Sequence, residues 1–428
     1  MQTLLKIFFR TFFDNSIIRT FLTVFSITIS SAAVAVIMML FTLSVRAVDA
    51  PKFVKNYITE EIENLDFESQ FEFGRVQIAL SENFNPKIIV SDVTIYDNVD
   101  SLPFLEISKL ELGASLRQIS TGNFNLSTIL LDGLTIGVSR DITGDYSIKF
   151  GQNSLLTSEV DVFSPASMGL RKFFEREAFL DLENFTVTSM TVQYDDQKES
   201  KLWVIDGARI EVNKQLDDVF VRGDAAFLMG GADISMLQVN YETNLKSGDG
   251  SVGILFEGFP SKEIAAQAPA LSWLNVVEAP ISGAFRTKVG SEMEVDEINA
   301  SLRIGSGVIR ADDKSKPLRF DNANVYFSYN RKINLLNFEE ITINSTDLQT
   351  ILAGSVQLKV DENKRTYYTG TLTANELKAN PLEIYERALE LEDVVIDFLL
   401  EPKPFNLEIL KLSARDPLRE LVIFAKGQ

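Results

Sequence analysis

Apolar and polar side chains alternate at every second position over most of this chain. Residues 134–150 are a clear example, because two alternating apolar runs flank the polar stretch SRDITGD. The apolar positions of this segment are Leu134, Ile136 and Val138, followed by Tyr146, Ile148 and Phe150. Successive residues of a β-strand point to opposite faces, so the segment predicts a hairpin with one apolar face.

The same two-residue period returns from Phe73 almost to the C-terminal end. Turn sequences such as YDDQKESK, KSGDG and VDENK separate the runs. Typical runs are Leu110, Leu112, Ala114 and Leu116; Met190, Val192 and Tyr194; Val252, Ile254 and Phe256; Val325, Phe327 and Tyr329; and Val356, Leu358 and Val360. The pattern predicts a mainly β protein built as an antiparallel meander.

Helical patterns are scarce by comparison. After the N-terminal region they are confined to residues 165–179, 261–274 and 380–392. Three short helices cannot cover more than a dozen strands. The apolar face must therefore meet a second sheet, curl on itself, or enclose something that is not protein.

A loose motif recurs four times within the strand pattern. Asp92, Gly133, Asn184 and Glu340 are each followed by an apolar residue, a threonine and a β-branched residue. Each copy opens an alternating run, which predicts a repeated unit that begins at a polar turn. The irregular spacing excludes a solenoid of fixed period.

One segment is long and apolar enough to cross a membrane. Between Arg19 and Arg46 lie 26 consecutive uncharged residues, and a helix of that length spans the roughly 30 Å hydrocarbon core of a bilayer. We predict a transmembrane helix over 20–45, in preference to a cleaved signal peptide or a buried core helix. The distribution of flanking basic residues gives modest support for a cytoplasmic N-terminus at 1–19 and a body on the opposite side.

An amphipathic pattern follows directly at residues 51–65. Apolar residues recur there at three- and four-residue spacing, and Pro51 suits a first helical turn. The pattern predicts a helix that packs on the first strands. A helix that lies on the bilayer surface is the alternative.

Composition then excludes several classes of function. The chain has 60 acidic and 41 basic residues, a net charge of −19, which argues against nucleic acid and against an anionic membrane surface as partners. It contains no cysteine and no histidine, which removes disulfides, thiol nucleophiles, and the commonest general base and metal ligands. We therefore expect no catalytic residue, no metal and no cofactor.

The remaining chemical motifs favour structural interpretations. GDGSVG at 248–253 has the spacing of a dinucleotide-binding loop but precedes a strand, so a hairpin turn is expected. Carboxylate pairs such as Asp195 and Asp196 or Asp217 and Asp218 are poor catalytic dyads, because adjacent residues of a strand point to opposite faces. We expect these pairs to lie in solvated turns. Trp203 and Trp273 stand among apolar neighbours, which favours packing over ligand binding.

Several segments together resemble the bacterial AsmA-like proteins, and the YhdP branch in particular. After the anchor and the amphipathic helix, the resemblance rests on the following stretches: FGRVQIAL, KIIVSDVTIYD, NFTVTSMTVQYDD, VGILFEGFPSKEIAAQAPALSWL and INASLRIGSGVIR. It implies an inner-membrane anchor and a periplasmic, elongated, twisted β-groove that carries phospholipid toward the outer membrane. Members of that branch are much longer, so we expect the chain to be truncated at its C-terminal end.

The pattern and the resemblance suggest one organisation of the chain. We predict a first groove segment over 70–151, a linker and helix over 152–179, and further groove segments over 180–428. If the sheet curls into a trough, acyl chains can cover its inner face. The residues chosen as lining this groove are Leu110, Leu112, Leu134, Ile136, Val138, Tyr146 and Ile148.

Two other functions stay open at this stage. A structural or partner-binding envelope protein would close the same strands into a sandwich core and bind other envelope proteins. A histidine-free hydrolase would need two carboxylates that face each other in a cleft, and no such pair is evident.

Overall fold

The computed structural model confirms a mainly β protein with an apolar N-terminal helix and few other helices. The structure describes the following residues: 16–56, 69–97, 103–116, 119, 125–143, 146–150, 166–176, 179–197, 201–228, 234–266, 269–291, 294–310, 317–346, 348–360, 366–379, 389–402, 405–417 and 421–426. Contacts divide the chain into two compact units, Met1–Leu131 and Asp132–Gln428, which are described separately.

Helix α1, Ser16–Val45, is the predicted membrane segment. Its part Thr23–Val45 is long and apolar enough to cross a membrane, and no part of it is buried within the protein. It has no acidic residue in its first turn and no basic residue in its last. A helix that is apolar on every side and uncovered by protein is typical of a membrane span.

The first unit consists of short and medium strands in an antiparallel arrangement. Strand β4 pairs with β2, β3 and β5, and β1 pairs with β3. The predicted helix over 51–65 is helical at 52–56, and 57–65 lie outside the described residues. The strands are β1 (Val48–Asp49), β2 (Ser69–Glu72), β3 (Val76–Leu80), β4 (Pro86–Asp97), β5 (Pro103–Ala114) and β6 (Leu126–Arg140), which continues into the second unit.

The second unit is a twisted antiparallel meander in which strands that follow one another along the chain are mostly neighbours. The predicted hairpin is confirmed, because Arg140 of β6 pairs with Tyr146 of β7. The large sheet of this unit continues through β7 (Tyr146–Phe150), β8 (Asn184–Asp196), β9 (Lys201–Gln215), β10 (Asp218–Leu228), β11 (Ile234–Asn244), β12 (Gly250–Pro260), β14 (Pro280–Val289), β15 (Glu297–Ile304), β18 (Asn322–Asn330), β19 (Leu335–Asn344), β20 (Leu348–Val360), β21 (Thr366–Ala379), β22 (Leu389–Pro402), β23 (Phe405–Asp416) and β24 (Leu421–Lys426).

Two of the predicted helices are present in the second unit. Helix α2 is Ala166–Phe174, and the predicted segment 261–274 forms helix α3, Ser261–Ala265, followed by a 3-10 helix, Pro269–Val276. The prediction over 380–392 is wrong at its end, where Leu389 begins β22, and 380–388 lie outside the described residues. A small sheet joins β13 (Val277–Glu278), β16 (Gly307–Ile309) and β17 (Leu318–Phe320).

Three of the four copies of the recurring threonine motif lie inside long strands. Asp92 lies inside β4 with φ of 55°, and the register of β4 against β5 is the same before and after it. Gly133 lies inside β6 with φ of 76°. Glu340 follows a register shift inside β19, and only Asn184 begins a strand. The expectation that each unit begins at a polar turn is therefore wrong for three copies, because their strands continue through the motif.

Candidate functional site

The second unit contains an apolar cavity of about 480 Å³ whose lining extends across many strands. Trp203 lies on β9 and Phe327 on β18, and the pairing order places these strands six steps apart. In a flat sheet six steps correspond to about 29 Å. The strands must therefore curl for both residues to border one cavity. The apolar and aromatic residues of the lining are Trp203, Phe227, Leu237, Val252, Ile254, Phe256, Phe259, Ile264, Ala270, Leu271, Phe285, Ile298, Phe327 and Tyr329, and Glu263, Arg286 and Thr287 also border the cavity.

A bulge near Gly258 brings two phenylalanines of β12 to this first cavity. Phe256 and Phe259 are three positions apart, a spacing that places residues of a regular strand on opposite faces. The register against β14 shifts between them, and Gly258 has φ of 71°. Both rings are consequently buried in the cavity wall, and their centroids lie 6.0 Å apart.

A second cavity of about 300 Å³ lies farther along the same unit, and strands β18 to β23 line it. The register of β19 shifts between Phe338 and Ile341, so both of them border it. Leu407 and Ile409 of β23 are 51% and 44% exposed, so the cavity reaches solvent there. The lining is Trp273, Val325, Leu336, Phe338, Ile341, Val356, Tyr368, Leu372, Ile396, Phe398, Leu400, Leu407 and Ile409.

The predicted helical segment contributes to both cavities. Ile264 of α3 and Leu271 of the 3-10 helix line the first cavity, whereas Trp273 lines the second. A hydrogen bond of 2.8 Å joins the hydroxyls of Ser272 and Tyr368 and fixes the segment to β21. Burial raises the pKa of Tyr368 to about 12, so its hydroxyl stays protonated at neutral pH.

The seven residues chosen from the sequence as groove lining stay a prediction. Leu110 and Leu112 are half-buried on β5 of the first unit, where they pair with Val90 and Ile88. In the second unit, Leu134 is buried, and Ile136 and Val138 are half-buried, on β6. Tyr146 and Ile148 pair with Arg140 and Val138 on β7. None of the seven is among the described residues that border the two cavities.

Both tryptophans have a more specific position than ordinary packing. Trp203 contacts Phe227 and Tyr194, with ring centroids 6.3 and 5.4 Å away, and it borders the first cavity. Trp273 meets Phe338 at 6.3 Å and borders the second. Packing against apolar neighbours was predicted correctly, but no local pattern indicated that each ring also faces open space.

The acidic pairs do not converge on a cleft among the described residues. Asp217 lies in a turn and binds Lys246 at 2.6 Å, as predicted for a solvated turn. The same prediction is wrong for Asp196, the last residue of β8, which is buried and lies 3.4 Å from Arg140. This ion pair joins the end of β6 to the end of β8.

Comparisons with known proteins do not identify a family or a function for these cavities. No protein-family model, no curated protein and no solved structure matches the chain. The candidate site is therefore defined by its own chemistry, namely two apolar cavities bordered by one curled sheet and one helical segment.

Proposed function

We propose that this protein is a membrane-anchored carrier of phospholipid whose curled sheet holds acyl chains. In this proposal α1 anchors the chain in a bacterial inner membrane, with the N-terminus in the cytoplasm and the body in the periplasm. The resemblance to AsmA-like proteins supports this location and a direction toward the outer membrane. The observation that carries the proposal is the apolar lining of two cavities that stay open within one curled sheet.

The chemistry of the lining favours hydrocarbon as the occupant. In the second cavity every lining side chain except Tyr368 and Trp273 is purely hydrocarbon. Each methylene that leaves water for such a surface contributes about 0.8 kcal/mol. The volumes of about 480 and 300 Å³ also lie in the range of small-molecule sites. Holding and releasing a lipid requires no nucleophile or general base.

A structural protein with a closed core is the second candidate. It predicts that the inner faces of the strands interdigitate without space, as in other protein interiors. The half-exposed Leu407 and Ile409 at the second cavity favour the carrier instead. Exposed apolar side chains beside a cavity suit a site that a lipid enters from solvent or from a membrane.

The tryptophans offer a direct test, because the chain has two and each borders a different cavity. The full-length protein in detergent is titrated with a phospholipid whose acyl chains carry bromine, which quenches indole fluorescence on contact. Trp203→Phe and Trp273→Phe separate the two signals. The control is the unbrominated phospholipid of the same chain length, which competes without quenching.

Saturable quenching of both single-tryptophan variants, reversed by the unbrominated competitor, is the expected result. A water-soluble quencher added in parallel reports whether the indoles have merely become exposed. Fluorescence of both tryptophans that stays constant up to saturating brominated lipid overturns the proposal.

A further inference from the structure

The turn between β3 and β4, residues 81–85, lies at the end of the first unit that α1 enters. Strand β1 begins at Val48, three residues after α1 ends at Val45. It runs antiparallel to β3, with Val48 opposite Ile78, so the chain that leads back toward α1 passes along β3 toward Leu80 and this turn. Three residues span at most about 11 Å. The turn is therefore close to the point where α1 leaves the strands.

Helix α1 leads away from the sheet at this point. The amide of Arg46 still bonds to the carbonyl oxygen of Thr42 at 2.9 Å, so only Ala47 separates the last helical hydrogen bond from β1. The helix contacts β3, yet its apolar part Thr23–Val45 is not buried by protein, as it would be if it lay back along the sheet. If α1 crosses a membrane, the bilayer surface therefore lies beside the turn at 81–85.

Two large apolar side chains are exposed at this end of the unit. Phe84 is 54% exposed, and Leu116, which follows β5, is 47% exposed. The amide of Leu116 donates to the side-chain oxygen of Asn85 at 3.1 Å, which ties the two segments together. Within the turn, the amide of Phe84 donates to the carbonyl oxygen of Ser81 at 2.9 Å. Phe84 and Leu116 are therefore presented on a backbone that hydrogen bonds define.

Phe84 is an unusual residue for its backbone position. Its φ is 60°, in the left-handed region that glycine and asparagine favour and that strains a bulky side chain. Exposure of an aromatic ring to water is a second cost, and packing within the protein does not offset either one. Contact with the hydrocarbon of a bilayer would offset both, because the ring would leave water there.

We propose that Phe84 and Leu116 insert into the bilayer leaflet beside α1, as a second membrane contact of the first unit. The partner is the boundary between the headgroups and the acyl chains of that leaflet. This inference rests on the proposed function only in that α1 crosses a membrane, and it requires no lipid in the two cavities. A second contact fixes how β3, β4 and β5 are oriented toward the bilayer, since a single helix leaves the body free to rotate about its axis.

The charges near the turn favour an apolar contact of limited depth. Glu82 is exposed within the turn, and a carboxylate is costly in hydrocarbon, so the turn reaches only the boundary region. Lys87, just beyond the turn, is paired with Glu111 at 2.8 Å. The contact therefore does not depend on attraction to anionic headgroups. It should form on a zwitterionic bilayer and persist at high salt.

Helical residues 52–56 provide a matched control at the other end of β3. Phe53 is 71% exposed, more than the phenylalanine of the turn. The amide of Ala50, just before this helix, donates to the carbonyl oxygen of Val76 at 2.9 Å, which places the helix where β3 begins. From Val76 to Leu80 the strand covers about 13 Å, in the direction of the turn. The two phenylalanines thus differ in their position along β3 and not in whether they are exposed.

The first measurement places a probe next to Phe84 in the full-length chain, which has no cysteine of its own. Asn83→Cys and, as the control, Phe53→Cys are labelled with an environment-sensitive fluorophore in nanodiscs of phosphatidylcholine. Part of the lipid carries a nitroxide on the upper acyl chain, which quenches only fluorophores close to it. We expect the probe at 83 to show blue-shifted emission and quenching by this lipid. The probe at 53 should be quenched by iodide in the water instead.

The second measurement distinguishes membrane contact from a structural role of Phe84. Phe84→Asn introduces a residue that tolerates positive φ. In the Asn83→Cys background it should lower the ratio of inserted to free turns about five- to tenfold, so that nitroxide quenching at 83 falls and iodide quenching rises. The melting temperature in detergent should not fall, because strain is relieved and no buried ring is lost. Removal of a ring that packs within the fold would lower it.

The results have separate consequences for this inference and for the proposed function. Iodide quenching at 83 as strong as at 53 overturns the inference, and so does equal lipid contact of both probes, because the contact would then not belong to the turn. Lipid contact at 83 that Phe84→Asn leaves unchanged, or a lower melting temperature of that variant, overturns it as well. A chain that shows the expected contact but binds no brominated phospholipid overturns the proposed function and leaves this inference standing.

Discussion

The side-chain oxygens of Ser272 and Tyr368 lie 2.8 Å apart, and this contact joins the 3-10 helix to β21. The two residues are far apart in sequence, and Tyr368 is only 2% exposed. The contact holds Trp273 beside the second cavity. This hydrogen bond therefore contributes both to the stability of the fold and to the shape of the second cavity.

Tyr368→Phe should loosen the helical segment without unfolding the sheet. The substitution removes the hydroxyl that bonds Ser272 and the backbone of the 3-10 helix, and each such hydrogen bond is worth about 1 kcal/mol. We expect faster amide hydrogen exchange over 269–276 and little change in β9 or β10, measured by mass spectrometry. Tyr326→Phe is the control, since Tyr326 is 43% exposed. Unchanged exchange over 269–276 in Tyr368→Phe would contradict this role.

The same tyrosine should make the protein sensitive to high pH. Burial raises the pKa of Tyr368 to about 12 in the folded state from 10.0 in the unfolded chain. The unfolded state therefore loses this proton first, and the stabilisation is complete below pH 10 and is lost as pH rises toward 12. The total is on the order of 2–3 kcal/mol. Denaturation as a function of pH measures it, and the loss should be smaller in Tyr368→Phe.

Much of the strand pattern was predictable because it is local. Alternation along one strand determines which side chains share a face. The run Val252 to Phe256 does line the first cavity, and in the run Val325 to Tyr329 the first residue lines the second cavity, whereas Phe327 and Tyr329 line the first. The helical segment over 261–274 was also recognisable from its own composition. None of this required knowledge of distant residues.

The curl and the cavities depend on contacts that no local pattern records. A glycine within a strand, such as Gly258, is a signal for a bulge. Ser189 and Asp393 also have positive φ, at 51° and 50°, and a register shift lies beside each of them. A serine or an aspartate within a strand pattern does not by itself predict a bulge. Which strands the 3-10 helix covers is set by the chain as a whole, so Trp273 could not be assigned to a cavity in advance.

The ion pair between Asp196 and Arg140 is a second contact that no local sequence pattern indicated, and it gives a stability prediction. Its side chain is 3% exposed and lies 3.4 Å from Arg140, whose side chain is 12% exposed. Asp196→Ala would leave the guanidinium buried without this carboxylate, so we expect a loss of about 3 kcal/mol in urea unfolding. Asp224→Ala is the control, because the pair Arg222 and Asp224 is 58% and 44% exposed. That loss should stay under about 1 kcal/mol. Equal losses of unfolding free energy in the two variants would show that burial does not determine how much the Arg140–Asp196 ion pair stabilises the protein.

Gly354 should tolerate no side chain. It has φ of 154°, and an added Cβ would lie 2.0 Å from the carbonyl oxygen of Thr371 on the neighbouring strand. Gly354→Ala must therefore displace the β20–β21 ladder, at a cost of about 1–3 kcal/mol. Gly253→Ala is the matched control, since nothing lies within 4 Å of its added Cβ. Thermal unfolding compares the two, and an equal melting temperature would contradict the close approach.

The proposed function makes opposite predictions for two adjacent residues of β12. Ile254 is half-buried and lines the first cavity, whereas Leu255 faces the other side and is 52% exposed. Ile254→Asp places a carboxylate where acyl chains would lie, and its desolvation opposes lipid entry. We expect at least roughly a tenfold loss of affinity for brominated phospholipid, read from Trp203 in the Trp273→Phe background.

Leu255→Asp should leave that affinity unchanged. Circular dichroism of both variants then separates the carrier from the closed-core alternative. In a carrier the carboxylate of Ile254→Asp faces an open cavity that water can enter when lipid is absent, so the sheet stays folded. In a closed core the same carboxylate has no access to water, and the protein unfolds. A folded Ile254→Asp variant that still binds lipid as tightly as the unsubstituted chain would exclude the first cavity as the lipid site.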